Sequence, residues 1–354
     1  MKILYGVSGE GFGHSSRAKE ILPFLLNRGH KVMVVTYGQA YEVLKNFKGI
    51  EVLRVEGIEL FFKEGRGLSL KRTLFYNLEK ITKNIKNFGE IKKSVDAFKP
   101  DFCISDMEPM TPILRYWKKL PLICLDNQHR LTHLPLKVPK QYHRDFIIAK
   151  EAVRRVVSIA DAYIVLSFTK GKVKKDKGKT FIVDPILREN ILNLRSTKGN
   201  YVLVYLTKKD DKILAILKGI KEKFVLYGYN IEKKDRNLEF RKTGDGFLKD
   251  LAGAKAIIAS AGFTLMSEAL YLKKPYFAIP LKGQFEQTLN ALFLQAARYG
   301  AFSEEPTSKD IRKFLSRLNS YENKLKKHTM NAREVFAALD KVLEELKEGK
   351  QQLY

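Results

Sequence analysis

Two short stretches of this 354-residue chain combine residue types suited to a charged, polyhydroxylated ligand. The longer runs from Ala256 to Gln295. Ala256–Ser260 reads as a strand, Ser260-Ala261-Gly262 as a turn, and Phe263-Thr264 as the start of a helix carrying Ser267-Glu268. Lys274-Pro275, a strand Tyr276–Ile279 and Pro280 follow, then Gln284-Phe285-Glu286-Gln287 and Asn290-Ala291. A glycine turn at a helix N-terminus offers free N–H groups and the positive end of the helix dipole to an anion such as a diphosphate. One turn further on, Glu268 can accept two ribose hydroxyls. The acid–amide pair Glu286-Gln287 suits adjacent hydroxyls of a hexose. Each residue alone also fits an ordinary solvated helix face; their order and spacing carry the reading.

The second stretch is Ser8-Gly9-Glu10-Gly11-Phe12-Gly13-His14, between a strand Ile3–Val7 and a helix expected over Ser15–Arg28. Its glycines permit a tight turn and close approach of a ligand. Its G-x-G-x-G spacing is not the dinucleotide fingerprint, and the second strand ends Val35-Thr36-Tyr37-Gly38 with no acid for a ribose. A nicotinamide enzyme is therefore disfavoured, and a P-loop nucleotidase is excluded because no G-x-x-x-x-G-K-[ST] occurs. His14 stands at the carboxyl edge of a sheet, where α/β sites form. A carboxylate from another strand end would fix its tautomer and make the other ring nitrogen a base. Asp106 is the first candidate, with Glu108 and Asp126 behind it. No His/Cys/Asp cluster has metal-ligand spacing, so neither a metal nor a cofactor is expected.

The elements that must position these groups are legible as short apolar runs alternating with helical patterns. The runs are Ile3–Val7, Lys31–Thr36, Phe102–Ser105, Leu122–Leu125 and Ala162–Ser167, then Tyr201–Leu206, Lys223–Tyr227, Ala256–Ser260 and Tyr276–Ile279. Continuous runs of this kind are strands buried on both faces of a parallel sheet, and the alternation predicts doubly wound α/β domains. Residues 1–185 form the expected first domain, 186–199 a linker and 200–330 the second. Residues 331–354 form a terminal amphipathic helix expected to pack back on the first domain.

Composition narrows the setting. Hydrophobic residues make up 45% of the chain, an ordinary globular level that argues against disorder. Cys103 and Cys124 lie in apolar runs and read as reduced, buried thiols. The start of the chain lacks the pattern of an export signal, and no apolar stretch has the roughly 20 residues of a membrane span, so a cytoplasmic location is expected. The net charge of +26 implies an anionic partner or substrate. A lysine-rich, thermophile-like surface explains the number of charges better than their sign imbalance. Phe61-Phe62-Lys63, Leu70–Tyr76 and Tyr116-Trp117-Lys118-Lys119 mix aromatics with cations, which suits either a core with a solvated face or docking on the inner face of an anionic membrane.

The pattern S-A-G-F-T-L-M-S-E…K-P…I-P…E-Q…N-A resembles the donor-site signature of GT-B glycosyltransferases. It is similar above all to the family 28 enzymes, including the peptidoglycan lipid-linked N-acetylglucosaminyltransferase, and to UDP-glycosyltransferases, and it suggests an archaeal relative. The Gly-His turn, Lys99-Pro100-Asp101, Asp126-Asn127-Gln128 and Asp184-Pro185-Ile186-Leu187-Arg188 extend the resemblance over most of the chain.

The resemblance implies two Rossmann-like domains facing a cleft, and metal-independent, inverting transfer of a hexose or N-acetylhexosamine from a UDP-like donor. It implies Gly262, Phe263 and Thr264 at the diphosphate, Glu268 on the ribose, Glu286 and Gln287 on the sugar, and Phe247 on the base. His14 would be the base, with Asp106 as its partner. Gly9, Gly11, Gly13, Glu108 and Asp126 would line the acceptor side. Two departures stand out. The first strand of the second domain ends Leu206-Thr207-Lys208-Lys209 in place of a Gly-Ser phosphate loop, leaving Thr207 or Lys208 to substitute. Ser105-Asp106-Met107-Glu108-Pro109 replaces a Gly-rich region, so acceptor identity does not transfer, although a lipid-linked acceptor is one expectation. A non-hydrolysing nucleotide-sugar epimerase is the alternative on the same fold. A nucleic-acid-binding protein rests on charge alone and lacks a binding signature.

Overall fold

The computed structural model describes residues 1–57, 62–63, 67–68, 70–157, 159–207, 209–244 and 246–351; side chains are described for these except 62, 63, 67, 68, 70–76, 81 and 349–351. The chain divides into two compact units, Met1–Ile186 with Asn331–Tyr354, and Leu187–Met330.

The first unit contains β1 (Lys2–Val7), β2 (Lys31–Thr36), β3 (Ile50–Arg54), the short pair β4 (Phe62–Lys63) and β5 (Gly67–Leu68), then β6 (Phe102–Asp106), β7 (Leu122–Asp126), β8 (Ala162–Leu166) and β9 (Thr180–Val183). Seven of these form one sheet in the order β3-β2-β1-β6-β7-β8-β9, and every pairing in it is parallel. The chain starts in the middle at β1, builds outward to β3, then returns to the other side of β1 with β6. The order reverses between β1 and β6, and doubly wound sheets form their crevice outside the carboxyl ends at such a point. Val7, the last residue of β1, pairs with Asp106, the last of β6.

The second unit repeats this plan with β10 (Tyr201–Tyr205), β11 (Lys223–Tyr227), β12 (Lys233–Asp235), β13 (Leu238–Phe240), β14 (Ala256–Ser260), β15 (Tyr276–Ile279) and β16 (Gly300–Phe302). Its sheet runs β12-β13-β11-β10-β14-β15-β16 and is parallel except for β12 against β13. Here the reversal falls between β10 and β14, next to Thr207 and the turn Ser260-Ala261-Gly262.

The helix Glu334–Gln351 belongs to the first unit. It packs against β8 and β9, burying Val335, Leu339, Val342 and Leu343. Phe336 packs at a tilt against Phe24, Arg28 pairs with Asp340, and Asp184 accepts from the Asn331 N–H at 2.7 Å.

The elements differ from the sequence reading mainly at the sheet edges. β3, β9, β12 and β16 are edge strands, and β3 and β9 are mostly half-exposed. With one neighbour and partial burial they need no continuous apolar run, so none stood out. The first helix opens at Phe12, earlier than Ser15, because Gly11 caps it with φ +70°. Gly13 and His14 therefore sit in its first turn. Cys103 and Cys124 are free, buried thiols.

Candidate active site

The helix Phe12–Asn27 buries Ala18, Ile21, Leu22 and Leu25, a stripe of helical period. His14 continues that stripe one turn towards the N-terminus, so its ring meets the end of β6. His14 Nδ1 lies 2.8 Å from Asp106 Oδ1, and the imidazole is 12% exposed while Asp106 is fully buried. Arg17, one turn further on, donates from Nε to Asp106 Oδ2 at 2.8 Å and from Nη2 to Oδ1 at 2.6 Å. Its Nη1 donates to Asn127 Oδ1 at 3.0 Å.

The same Nη2 lies 3.0 Å from His14 Nδ1. The ionised Asp106 carboxylate can only accept, so the 2.8 Å contact puts the proton on Nδ1, and Nη2, which has no lone pair, donates to the same carboxylate. That assignment leaves Nε2 as the basic nitrogen. Burial alone would raise the Asp106 carboxyl, but Arg17 and then His14 outweigh it and hold the group below its ordinary value.

The other two carboxylates considered as partners of His14 are engaged elsewhere. Asp126 accepts from His129 Nδ1 at 2.7 Å and from the His129 backbone N–H at 2.8 Å. Glu108 folds onto the start of the helix that follows it, Met110–Lys118, accepting from the Met110 N–H at 2.8 Å, the Thr111 N–H at 2.6 Å and the Thr111 hydroxyl at 2.5 Å. Burial pushes its carboxyl up to about 7 against those bonds. Between β6 and this helix Met107 takes φ +54°, a left-handed conformation costly for a side chain. Gly9 is explained by packing, since a Cβ there would collide with Tyr37.

In the second unit Gly262 precedes the helix Phe263–Tyr271, whose first turn has no side-chain cap. Its φ is −66°, and a Cβ would meet nothing within 4 Å. Neither backbone conformation nor crowding demands glycine there. Gly262→Ala is expected to cost under about 1 kcal/mol of stability, the usual scale of a cap change, yet to weaken nucleotide-sugar binding about tenfold, or 1.4 kcal/mol. Calorimetric titration beside a melting curve checks this; unchanged affinity would remove the steric argument.

Side chains brace this turn. Thr207 donates from Oγ1 to Ser260 Oγ at 3.1 Å, joining the ends of β10 and β14 across the reversal point. Tyr276 OH donates to Ser260 O at 2.7 Å and Asn290 Nδ2 to Ala261 O at 2.9 Å. Asn290 lies on the helix Phe285–Ala296, whose first turn carries Glu286. Gln287 is tied at both ends of its amide, accepting from the Leu281 N–H at 3.1 Å and donating to Gln284 Oε1 at 2.8 Å. Phe247 packs between Tyr205 and Tyr227, with ring centroids at 5.6 and 5.0 Å.

Glu268 is 1% exposed and forms a two-pronged ion pair with Arg188, Nε to Oε1 at 2.6 Å and Nη2 to Oε2 at 2.8 Å. Burial raises its carboxyl above the ordinary value and Arg188 opposes the rise. The carboxylate read as a ribose acceptor is thus already bonded to a cation. Arg17 and His129 have no role in the sequence reading, and Arg188 enters it only within the motif Asp184-Pro185-Ile186-Leu187-Arg188. Arg17 had a signal, its three-residue spacing from His14; the pairing of Arg188 with Glu268 spans 80 residues and had none. Lys208, the other substitute for the phosphate loop, lies outside the described residues. Among the described residues no group of three or more His, Cys, Asp or Glu is arranged to hold a metal ion.

Two parallel-sheet, Rossmann-like units, each with its polar cluster at the order reversal, define the GT-B class of glycosyltransferases. The sequence profile of glycosyl transferase family 1 matches residues 1–319, and the chain belongs to that family. It is 23% identical over 341 residues to an uncharacterized glycosyltransferase of Methanosarcina mazei, with 88% of each chain covered. It is 25% identical to another from Methanosarcina acetivorans, again over 88% of each. In fold it is similar to Phytolacca americana UGT2, solved with UDP-2-fluoro-glucose and pterostilbene, at TM-score 0.69 and 12% identity, covering 98% of this chain and 99% of that one. The protein is a glycosyltransferase.

Proposed function

We propose that the enzyme transfers a hexose or N-acetylhexosamine from a UDP-like nucleotide sugar to an acceptor hydroxyl in a single displacement that inverts the anomeric centre. The observation that carries this reading is the His14–Asp106 pair at the carboxyl ends of β1 and β6. His14 Nε2 takes the acceptor proton as the hydroxyl attacks the anomeric carbon. The N–H groups after Gly262 receive the departing diphosphate, and Glu268 holds the ribose once Arg188 yields. Glu286 and Gln287 hold the sugar. A UDP-sugar analogue bound to the fold relative supports the donor class. No cofactor takes part in this scheme. The test is proton NMR of the product of an α-linked UDP-sugar. A β-linkage formed at full rate in EDTA is expected; retention, or inactivation by EDTA, would overturn the mechanism, and conversion of the donor sugar without acceptor would indicate the epimerase.

A lipid-linked acceptor, reached at the inner face of an anionic membrane, accompanies this proposal. Its support lies on the helix Met110–Lys118, where Ile113 and Tyr116 are 53% and 81% exposed beside Lys119. Trp117 is half-buried against the core, with Lys92 and Lys118 each 4.4 Å from its ring centroid, so Tyr116 is the aromatic left to insert. The side chains of residues 61–63 and 70–76 lie outside the described residues. Among the described residues no helix is long and apolar enough to cross a membrane. Tyr116→Ser is expected to reduce co-sedimentation with acidic liposomes at low salt several-fold, since one interfacial aromatic and nearby cations supply such binding; no sedimentation of the parent protein would end the idea.

A further inference from the structure

A pocket of about 290 Å³ opens in the first unit between the segment that follows β7 and the segments that lead into β8 and β9. Its volume is at the small end of ligand sites, which run from about 300 Å³ upward. Its lining divides by chemistry. Val157, Tyr163 and the 72% exposed Ile159 give an apolar wall. His129 and His133, both buried, give a polar floor. Arg154, Lys177 and Asp176 give a charged rim with one more cation than anion.

The polar groups can be assigned protons. Thr132 Oγ1 donates to His129 O at 3.1 Å, so it accepts from His133 Nδ1 at 2.8 Å. His133 Nε2 is then an acceptor, suited to a hydroxyl. Burial and the neighbouring His129 push His133 down to about 4, so its ring is neutral. The rim holds more positive than negative charge. Lys174, whose Nζ donates to Thr132 O at 3.3 Å, is lowered by burial and then by Lys150, Lys177 and Arg154, against Asp176 alone. Arg154 has an exposed pair with Glu151, and Lys177 one with its neighbour Asp176; such pairs are weak and are easily exchanged for a phosphate.

We infer that this pocket is a binding site for a small phosphorylated polyol, its phosphate on Arg154 and Lys177, a hydroxyl on His133 and its carbons on the Val157–Ile159–Tyr163 wall. The site shares no lining residue with the His14, Arg17, Asp106 and Asn127 cluster; Val157, Ile159, Ala160 and Gly178 precede β8 and β9, and His129 and His133 follow the carboxyl end of β7. It is also independent of the proposed donor and mechanism.

The test is calorimetric titration of the full chain with glycerol 3-phosphate, inorganic phosphate and glycerol in dilute, phosphate-free buffer. Glycerol 3-phosphate is expected to bind about tenfold tighter than inorganic phosphate, and glycerol not to bind. Arg154→Ala/Lys177→Ala is expected to weaken glycerol 3-phosphate at least about tenfold. Lys233→Ala/Lys234→Ala removes the same charge from an exposed edge strand and is expected to change nothing. These rim residues are not buried, so the variants fold. No binding, equal loss in both variants, or preference for inorganic phosphate would overturn the site. Transfer of sugar onto glycerol 3-phosphate would overturn its separateness.

Discussion

His14→Ala is expected to lower kcat by about 10²–10⁴-fold, the usual worth of general base catalysis, with nucleotide-sugar affinity unchanged. The split follows from placement: His14 is in the first unit, and the candidate donor residues are in the second. Asp106 is held by Arg17 through both oxygens as well as by His14, so deleting the imidazole does not leave a bare buried carboxylate. The fold should survive, and a kcat loss can be read as chemistry. Pre-steady-state transfer and titration with the donor alone separate the two quantities. A variant that turns over normally would remove His14 from the mechanism.

Glu268→Gln is expected to weaken donor binding about 10–100-fold, because charge-assisted hydrogen bonds contribute roughly 1.5–3 kcal/mol. The Arg188 pair makes the stability consequences asymmetric. In Glu268→Gln the Arg188 guanidinium that loses the carboxylate charge is 38% exposed and can turn to water. In Arg188→Met the buried carboxylate is left alone, and breaking a buried pair from that side costs about 3–5 kcal/mol. Arg188→Met should therefore melt well below Glu268→Gln. Equal melting temperatures, or donor affinity untouched by Glu268→Gln, would mean that this carboxylate serves the fold alone.

The sequence disclosed what burial writes into it. β1, β6, β10 and β14 are covered on both faces and stand out as apolar runs. The residues that end them, Asp106 and Ser260, follow from the rule that α/β sites gather at strand carboxyl ends. That rule brought His14 and Asp106 together as candidates, and the structure puts them in hydrogen-bonding contact. Edge strands such as β3 and β9 carry no such run. Side-chain geometry was less visible still. Glu286 and Gln287 were read together, but only the fold shows Gln287 tied into its own loop. Arg188 and Glu268 are joined by tertiary packing, which no local pattern encodes. Gly9 looked like part of a ligand loop, and the backbone carbonyl and ring of Tyr37 also need the space a Cβ would take there.

The return of the helix Glu334–Gln351 to the first unit bears on the order of events during translation. The second unit is one unbroken stretch, Leu187–Met330, and has all its parts before the last helix is made. The first unit begins earlier but cannot be finished, because the surface of β8 and β9 that receives Val335, Leu339 and Val342 has nothing to cover it until then. Domains generally fold as units while the ribosome works. Here the unit begun before the other is completed after it, and its sheet stays partly uncovered while the second unit is made.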